Sequence, residues 1–173
     1  YSAKFQRSIE ELLVSPVPHH IILTGYVLGG MVRGLLVGII VTLLSLFFTQ
    51  LHIHHIFVII YSVLITATLF SLGGFINAVF AKSFDDISIV PTFILTPLTY
   101  LGGVFYSIEN LSPFFQTASL FNPIVYMVNT FRYGILGVSD VNIGFSLAVM
   151  TLGTIALYWY ALRLLSSGRG MKE

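Results

Sequence analysis

The residues of this chain that could do chemistry are few, and they are set in apolar sequence. His52, His54 and His55 form an H-x-H-H turn, a type of cluster whose imidazole nitrogens can hold a transition metal. No carboxylate or thiolate accompanies them, so we interpret the turn as polar and interfacial and predict no metal site. Arg33 and Arg132 lie near or within apolar stretches, where an ionisable side chain is a functional candidate.

The common catalytic signatures are missing from the sequence. It contains no G-x-x-x-x-G-K-[ST], no H-E-x-x-H and no G-x-S-x-G. With no cysteine, there is no thiolate site and no disulfide framework. The acidic residues Asp85, Asp86, Glu109 and Asp140 fall in predicted turns, so the buried acids of a proton-driven pump are absent. We therefore predict that the chain is no enzyme and binds no cofactor itself.

The composition identifies the solvent in which the chain folds. Of its 173 residues 56% are hydrophobic and 9% are charged, whereas soluble domains carry about 25% charged residues. The 8 basic residues are scattered, which argues against nucleic acid as a partner and leaves the lipid bilayer. We predict an all-α, polytopic membrane protein in which residues 1–173 form a single transmembrane domain.

Four stretches are apolar enough to cross a bilayer, which takes about 20 residues of helix. The predicted transmembrane helices are residues 29–48, 56–80, 87–106 and 141–162. The first choice places Arg33 about one turn from the end of its span, where its side chain can snorkel to the headgroups. A place in a pathway or an ion pair stays open for Arg33.

Residues 107–140 contain an uncharged run of spanning length, but Pro113 and the pair Asn122-Pro123 divide it into pieces too short to cross. With four spans, six of the eight cations share one side with the carboxyl terminus, and Arg132 lies on the other. The positive-inside rule makes the side with the cations cytoplasmic. We therefore predict that residues 107–140 form outer re-entrant helices, with Arg132 anchoring one of them near the interface.

Two further patterns involve helices. Residues 1–18 are the most polar part of the chain and predict a short amphipathic cytoplasmic helix, ended by Ser15-Pro16-Val17-Pro18. Gly30, Gly34 and Gly38 stand four residues apart on one helix face, a spacing that lets two helix backbones approach closely. Packing within the chain is the favoured interpretation, and contact with a second copy is the alternative.

Three segments together resemble the ABC type-2 permeases, the membrane subunits of bacterial ABC exporters. They are residues 10–16 (EELLVSP) before a glycine-rich span, residues 102–106 (GGVFY) followed by 109–113 (ENLSP), and residues 122–126 (NPIVY) with 132–134 (RYG) behind them. They occur in the family's order over essentially the whole chain. Ser107 and Ser112 depart from it, since many members carry proline there.

The resemblance implies a permease of the bacterial inner membrane with six helices in the complete subunit, so we expect the first two to be missing here. It implies that residues 8–16 are a coupling helix that binds a separate ABC ATPase, and that the ATPase holds ATP and Mg²⁺. It also implies a pair of permease copies, here expected as a homodimer. The residues that it assigns to coupling are Glu10, Glu11, Leu12, Leu13, Ser15 and Pro16. Those that it assigns to the outer re-entrant region or gate are Gly102, Gly103, Asn122, Pro123, Tyr126 and Arg132.

The alternative function is a membrane scaffold or assembly protein that transports nothing. A scaffold needs no coupling element, so the helix at residues 8–16 favours the permease. No feature of the four spans selects a substrate.

Overall fold

The computed structural model describes residues 1–2, 6, 11–12, 14–50 and 53–168, with the side chain of Glu109 excepted. Within these residues every regular element is a helix, as predicted. Three helices are long and apolar enough to cross a membrane. They are α1 (His19–Ser45), α2 (Ile56–Phe80) and the last helix, Ile143–Ser167.

Shorter elements fill the stretch between α2 and the last helix. They are α3 (Phe84–Ile89), a π-helical segment (Val90–Leu95), α4 (Thr96–Tyr100), a 3-10 turn (Ile108–Asn110), α5 (Pro113–Ser119) and α6 (Pro123–Leu136), after which the last helix is α7 (Ile143–Ser167). The segments α3, π and α4 follow one another without a break, and we call them together the broken helix.

Helix α2 has the bounds of the predicted span 56–80, whereas the other helices do not begin and end where the predicted spans do. Helix α1 begins at His19, ten residues before the span 29–48, and ends at Ser45, because no breaker follows Pro18 until the turn at residues 46–48. The broken helix ends at Tyr100, and the rest of the span 87–106 is turn. Helix α7 begins at Ile143, two residues after the start of the predicted span 141–162, and continues five residues past its end to Ser167. A helix can extend beyond the bilayer, so the spans themselves stay predictions.

Proline shapes the broken helix, and a neighbouring helix compensates for it. Pro91 has no N–H to donate to the carbonyl of Ile87, four residues earlier. The side-chain amide of Asn77 on α2 donates to that carbonyl at 2.9 Å instead. Pro91 lies in the first turn of the π-helical segment, where the Thr96 hydroxyl donates to the Pro91 carbonyl at 2.9 Å. At Pro91 a neighbouring helix therefore supplies the donor that proline lacks.

The core forms where α1, α2 and α7 meet. Its buried side chains are Ile22, Leu23, Val27, Leu72, Val79, Ala161, Leu164 and Leu165. These contacts place the beginning of α1, the end of α2 and the end of α7 together, beside Lys82, and we call this the Lys82 end. The opposite end of the bundle, where α2 and α7 begin, is the Arg132 end.

One glycine of the predicted packing row makes the closest approach of α1 to α2. A Cβ at residue 30 would lie 3.0 Å from the Cβ of Ser71 and would overlap its hydroxyl oxygen. That hydroxyl donates to the Val27 carbonyl at 2.9 Å, so it is not free to turn away. At Gly34 and Gly38 an added Cβ would meet no described atom within 4 Å. Only the first glycine of the row therefore packs against the described part of the chain.

We expect Gly30→Ala to destabilise the full-length protein by about 1–3 kcal/mol, because the new methyl group overpacks the contact with Ser71. Gly25→Ala, on the same helix, is the matched control, since a Cβ there meets nothing within 4 Å. It should stabilise slightly, by up to about 1 kcal/mol, because alanine favours helix. Thermal unfolding in detergent measures both, and equal shifts of the same sign would contradict the packing.

Candidate functional site

Helix α6 and its N-cap carry three of the six polar side chains that are buried among the described residues, namely Asn122, Asn129 and Thr130. It begins with the sequence Asn122-Pro123, where proline suits the first helical position and asparagine caps it. The first turns of α6 pack at depth, since Tyr126 shares a buried cluster with Leu69 of α2 and Met150 of α7. Its last turn lies at the Arg132 end, where the Gly134 carbonyl accepts hydrogen bonds from the backbone N–H groups of His54 and His55 at 3.0 and 2.8 Å.

Asn122 joins two helices through the two ends of its side chain. Its carbonyl oxygen accepts a hydrogen bond from the Ile124 N–H at 3.0 Å, which caps α6. Its amide donates to the Leu98 carbonyl at 2.7 Å, in the last turn of the broken helix. Asn122 is buried. The start of α6 and the end of the broken helix are therefore held as one unit.

Two glycines allow the chain to leave the broken helix close to α6. A Cβ at Gly102 would lie 2.8 Å from the Ile124 side chain and 3.0 Å from the Leu98 carbonyl oxygen. Gly103 has a φ of +74°, a conformation that L side chains rarely adopt. The pair predicted as part of the gate thus makes a tight turn against the first turn of α6.

Arg132 ties that turn to the loop before α7. Its guanidinium donates to the Asp140 carboxylate at 2.9 Å and also to the carbonyls of Gly103 and Tyr106. The same Asp140 oxygen accepts the Ile108 N–H at 2.9 Å. The side chains of Arg132 and Asp140 are 21% and 5% exposed, so the pair is largely removed from water. Arg132 thus holds α6 through contacts with protein groups, namely one carboxylate and two backbone carbonyls. Its predicted position near the membrane interface stays a prediction.

Burial by itself would raise the pKa of the Asp140 carboxyl. The hydrogen bonds from the Ile108 N–H and the Ser107 hydroxyl, together with the charge of Arg132, outweigh burial and hold the pKa below the ordinary value of 3.8. Asp140 is therefore ionised at neutral pH and serves as a permanent counter-charge to Arg132.

Asn129 completes the network one turn before Arg132. Its side-chain oxygen accepts the N–H groups of Asp140 and Val141 at 2.8 and 3.2 Å. Its amide donates to the Val141 carbonyl at 2.9 Å and to the Ser146 hydroxyl at 3.1 Å. These four bonds use both lone pairs of the amide oxygen and both N–H donors of the amide nitrogen, which is the full capacity of the side chain.

The structure brings together the residues predicted for the outer region: Gly102, Gly103, Asn122, Pro123, Tyr126 and Arg132. The Tyr126 hydroxyl donates to the Leu120 carbonyl at 2.6 Å, which closes the turn between α5 and α6. Sequence reasoning missed Asp140 and Asn129. A signal for Asp140 exists, since it follows the helix-ending Gly137 closely enough to fold back onto the last turns of α6.

The remaining predicted residues lie elsewhere. Glu11, Leu12, Ser15 and Pro16 precede α1 at the Lys82 end, and Glu10 and Leu13 lie outside the described residues. Of the histidine turn, His55 stacks on Tyr133 with ring centroids 5.4 Å apart, and His52 is likewise outside the described residues.

Arg33 lies well inside α1. In α1 it is 14 residues from His19 and 12 from Ser45, close to the middle of the helix. The helix bounds do not test the membrane span, so a position of Arg33 about one turn from the end of the span 29–48 stays a prediction.

We expect Asp140→Asn to destabilise the full-length protein by about 3 kcal/mol at pH 7, because it leaves the guanidinium of Arg132 buried without its counter-charge. The control is Asp85→Asn, an exposed carboxylate at the Lys82 end, which should change stability by no more than about 0.5 kcal/mol. Thermal unfolding in detergent provides the comparison.

The effect has a defined pH dependence. Because the pKa of Asp140 is lowered in the fold, its stabilising effect is complete above its ordinary pKa of 3.8 and is lost as pH falls through the lowered value. The stability difference between the wild type and Asp140→Asn should therefore shrink at pH 3 relative to pH 7. A difference that grows on acidification would contradict the ion pair.

The chain is similar in sequence to one known family and to several known proteins. The ABC-2 type transporter family matches residues 1–136. The inner membrane transport permease YadH of Escherichia coli (strain K12) is 55% identical over 173 residues, which cover 100% of this chain and 68% of YadH. Nodulation protein J of Rhizobium leguminosarum bv. viciae is 25% identical over 88 residues, 51% of this chain and 34% of that protein. No solved structure gives a significant match.

The first two matches confirm the family predicted from the sequence. Together with the three apolar helices, they indicate a multi-pass protein of the inner membrane. The chain belongs to the ABC-2 type transporter family and is a membrane permease subunit of an ABC transporter.

Proposed function

We propose that this permease is the membrane part of an exporter, that it forms the translocation pathway, and that residues 8–16 couple it to a separate ATPase subunit. The ATPase binds ATP and Mg²⁺, and two permease copies work with two ATPase subunits. The absence of a phosphate-binding loop from the sequence agrees with an energy source outside this chain.

One observation carries the coupling proposal: apolar side chains are exposed in the segment that precedes α1. Glu11, Leu12 and Val14 are helical, and Leu12 and Val14 are 38% and 86% exposed. The segment lies at the Lys82 end, since the Tyr1 hydroxyl donates to the Lys82 carbonyl at 2.9 Å. Leucine and valine exposed beyond the end of a membrane helix are what a groove on a soluble partner would bury.

The segment is joined to α1 by a short, well-defined turn. The Ser15 hydroxyl donates to the Leu12 carbonyl at 2.6 Å, Pro16 follows, and Pro18 caps α1. In the proposal, Leu12 and Leu13 supply the apolar grip on the ATPase, and Glu10 and Glu11 supply the polar register. Closure of the ATPase pair would push on this segment and, through the turn, rotate α1.

We further propose that the Arg132 end is the outer gate. Helix α6 runs from the level of Leu69, in the middle part of α2, to His55 at the beginning of α2. That course supports the prediction that α5 and α6 dip into the membrane and return to the same side. The carboxyl terminus is then cytoplasmic, with the Lys82 end.

A second permease copy has a surface available on α1. An added Cβ at Gly34 or Gly38 would meet no described atom within 4 Å, and most of the side chains from Val32 to Leu46 are exposed. Small residues at this spacing favour close helix pairing in a membrane. We propose that this face contributes to the homodimer.

Replacing Glu10, Glu11, Leu12 and Leu13 together by serine should abolish co-purification with the ATPase encoded nearest to the permease and reduce transport to background. Val17→Ser is the control, because Val17 has the same 38% exposure as Leu12 but lies beyond the proposed coupling segment. If the fourfold variant kept the ATPase bound and transport intact, the coupling proposal would be wrong and a scaffold would be favoured.

The topology is tested by cysteine labelling, since this chain has no cysteine of its own. Single cysteines at Lys82 and at Val138, both exposed, should react with a membrane-impermeant maleimide from opposite sides of the membrane. Labelling of both positions from the same side would rule out the proposed arrangement.

A further inference from the structure

A large cleft lies between α1, α2 and α6. It has a volume of about 1140 Å³ and includes Arg33 in its lining. Its apolar walls include Leu35 and Val37 of α1, Val63 and Phe70 of α2, and Met127 and Phe131 of α6. The hydroxyl-bearing residues Ser62 and Thr66 lie on the α2 wall. Among the described residues the lining contains no aspartate or glutamate, whereas it contains two arginines, Arg33 and Arg132.

The two arginines differ in their partners. Arg132 is paired with Asp140 and with two backbone carbonyls. Arg33 has neither a hydrogen bond nor an ion pair with any of the residues that the structure describes. The cleft therefore holds one cation without an anion among the described residues.

The depth of Arg33 makes this charge unusual. Two residues before it, the Met31 sulfur accepts the Thr68 hydroxyl at 3.3 Å, and Thr68 is 12 residues from each end of α2. Arg33 thus lies near the middle of both α1 and α2. The midpoint of a bilayer is about 15 Å from either headgroup layer, so an arginine at this level is an expensive charge unless an anion reaches it.

We propose that the cleft binds a phospholipid with an anionic headgroup, with its phosphate at Arg33 and its acyl chains along the apolar walls. A guanidinium forms paired hydrogen bonds with phosphate oxygens. Ser62 and Thr66, both on the α2 wall of the cleft, carry hydroxyl groups that can also donate to a phosphate. The charge complementarity selects an anionic amphiphile, and the bilayer supplies phospholipid at high local concentration. The inference goes beyond the proposed function and does not depend on ATPase coupling.

Lipid titration followed by native mass spectrometry tests the site in the full-length permease without ATP. We expect tighter binding of phosphatidylglycerol than of phosphatidylcholine with the same acyl chains. Arg33→Gln should weaken phosphatidylglycerol binding about tenfold and phosphatidylcholine binding less, because it removes one charge-assisted contact and the phosphate of phosphatidylcholine already has a choline cation beside it. Arg33→Lys should keep most of the preference.

Arg163→Gln is the control for ordinary interfacial binding. Arg163 lies over the Trp159 ring at 4.0 Å, near the Lys82 end and away from the cleft. Its removal should spare the tight site. If Arg163→Gln and Arg33→Gln weakened binding equally, the lipid would be bound by general surface charge and the proposal would be overturned.

A second variant keeps the charge and fills the space. Thr66→Phe should block phosphatidylglycerol binding while leaving Arg33 in place. This variant keeps the site testable if Arg33→Gln does not fold. A phosphatidylglycerol with a photoreactive acyl chain should label peptides covering residues 62–70 and 124–136 in the wild type.

The competing occupant is a carboxylate from another part of the permease or from the second copy. In that case Arg33→Gln would lower thermal stability equally in phosphatidylglycerol and phosphatidylcholine, and the lipid preference would not change. That result would overturn the proposal but not the permease function, which the co-purification with the ATPase tests separately.

Discussion

A backbone carbonyl or N–H group among apolar helices has no water to replace a lost hydrogen bond, and this constraint organises the irregular part of the chain. At three places where the helical hydrogen bonding is interrupted, a side chain from elsewhere in the chain bonds the carbonyl that is left over. Asn77 serves the carbonyl freed by Pro91, and Asn122 serves the end of the broken helix. Arg132 serves the carbonyls of Gly103 and Tyr106 beyond that end.

The same constraint explains how polar residues survive in so apolar a protein. Among the described residues, no buried side-chain nitrogen or oxygen lacks a hydrogen-bond partner. Asn129 is an example, since its side-chain amide bonds the N–H groups of Asp140 and Val141 and the carbonyl of Val141. These backbone groups would otherwise need partners in a helix. Asparagine suits this task because it offers both donors and an acceptor without a charge that must be neutralised.

Local sequence predicted those parts of the fold that depend on composition and on breakers. Apolar length predicted the helices α1, α2 and α7, and the pair Asn122-Pro123 marked the beginning of α6. Local sequence could not predict the contacts between segments that are distant along the chain. The pairing of Arg132 with Asp140 depends on how a loop folds back, and the depth of Arg33 depends on which part of α1 meets α2. Breakers limit a helix but do not set its register against a neighbour, so the sequence alone could not show that Arg33 lies level with the middle part of α2.

The two hydrogen bonds of the Asn122 side chain and the contacts of Arg132 have a mechanical consequence. Three segments, namely the end of the broken helix, α6 and the loop before α7, are linked to one another by side-chain hydrogen bonds and an ion pair. A force applied to any one of them is shared by all, so the Arg132 end should yield in a single cooperative step with one barrier, rather than by the independent bending of separate loops.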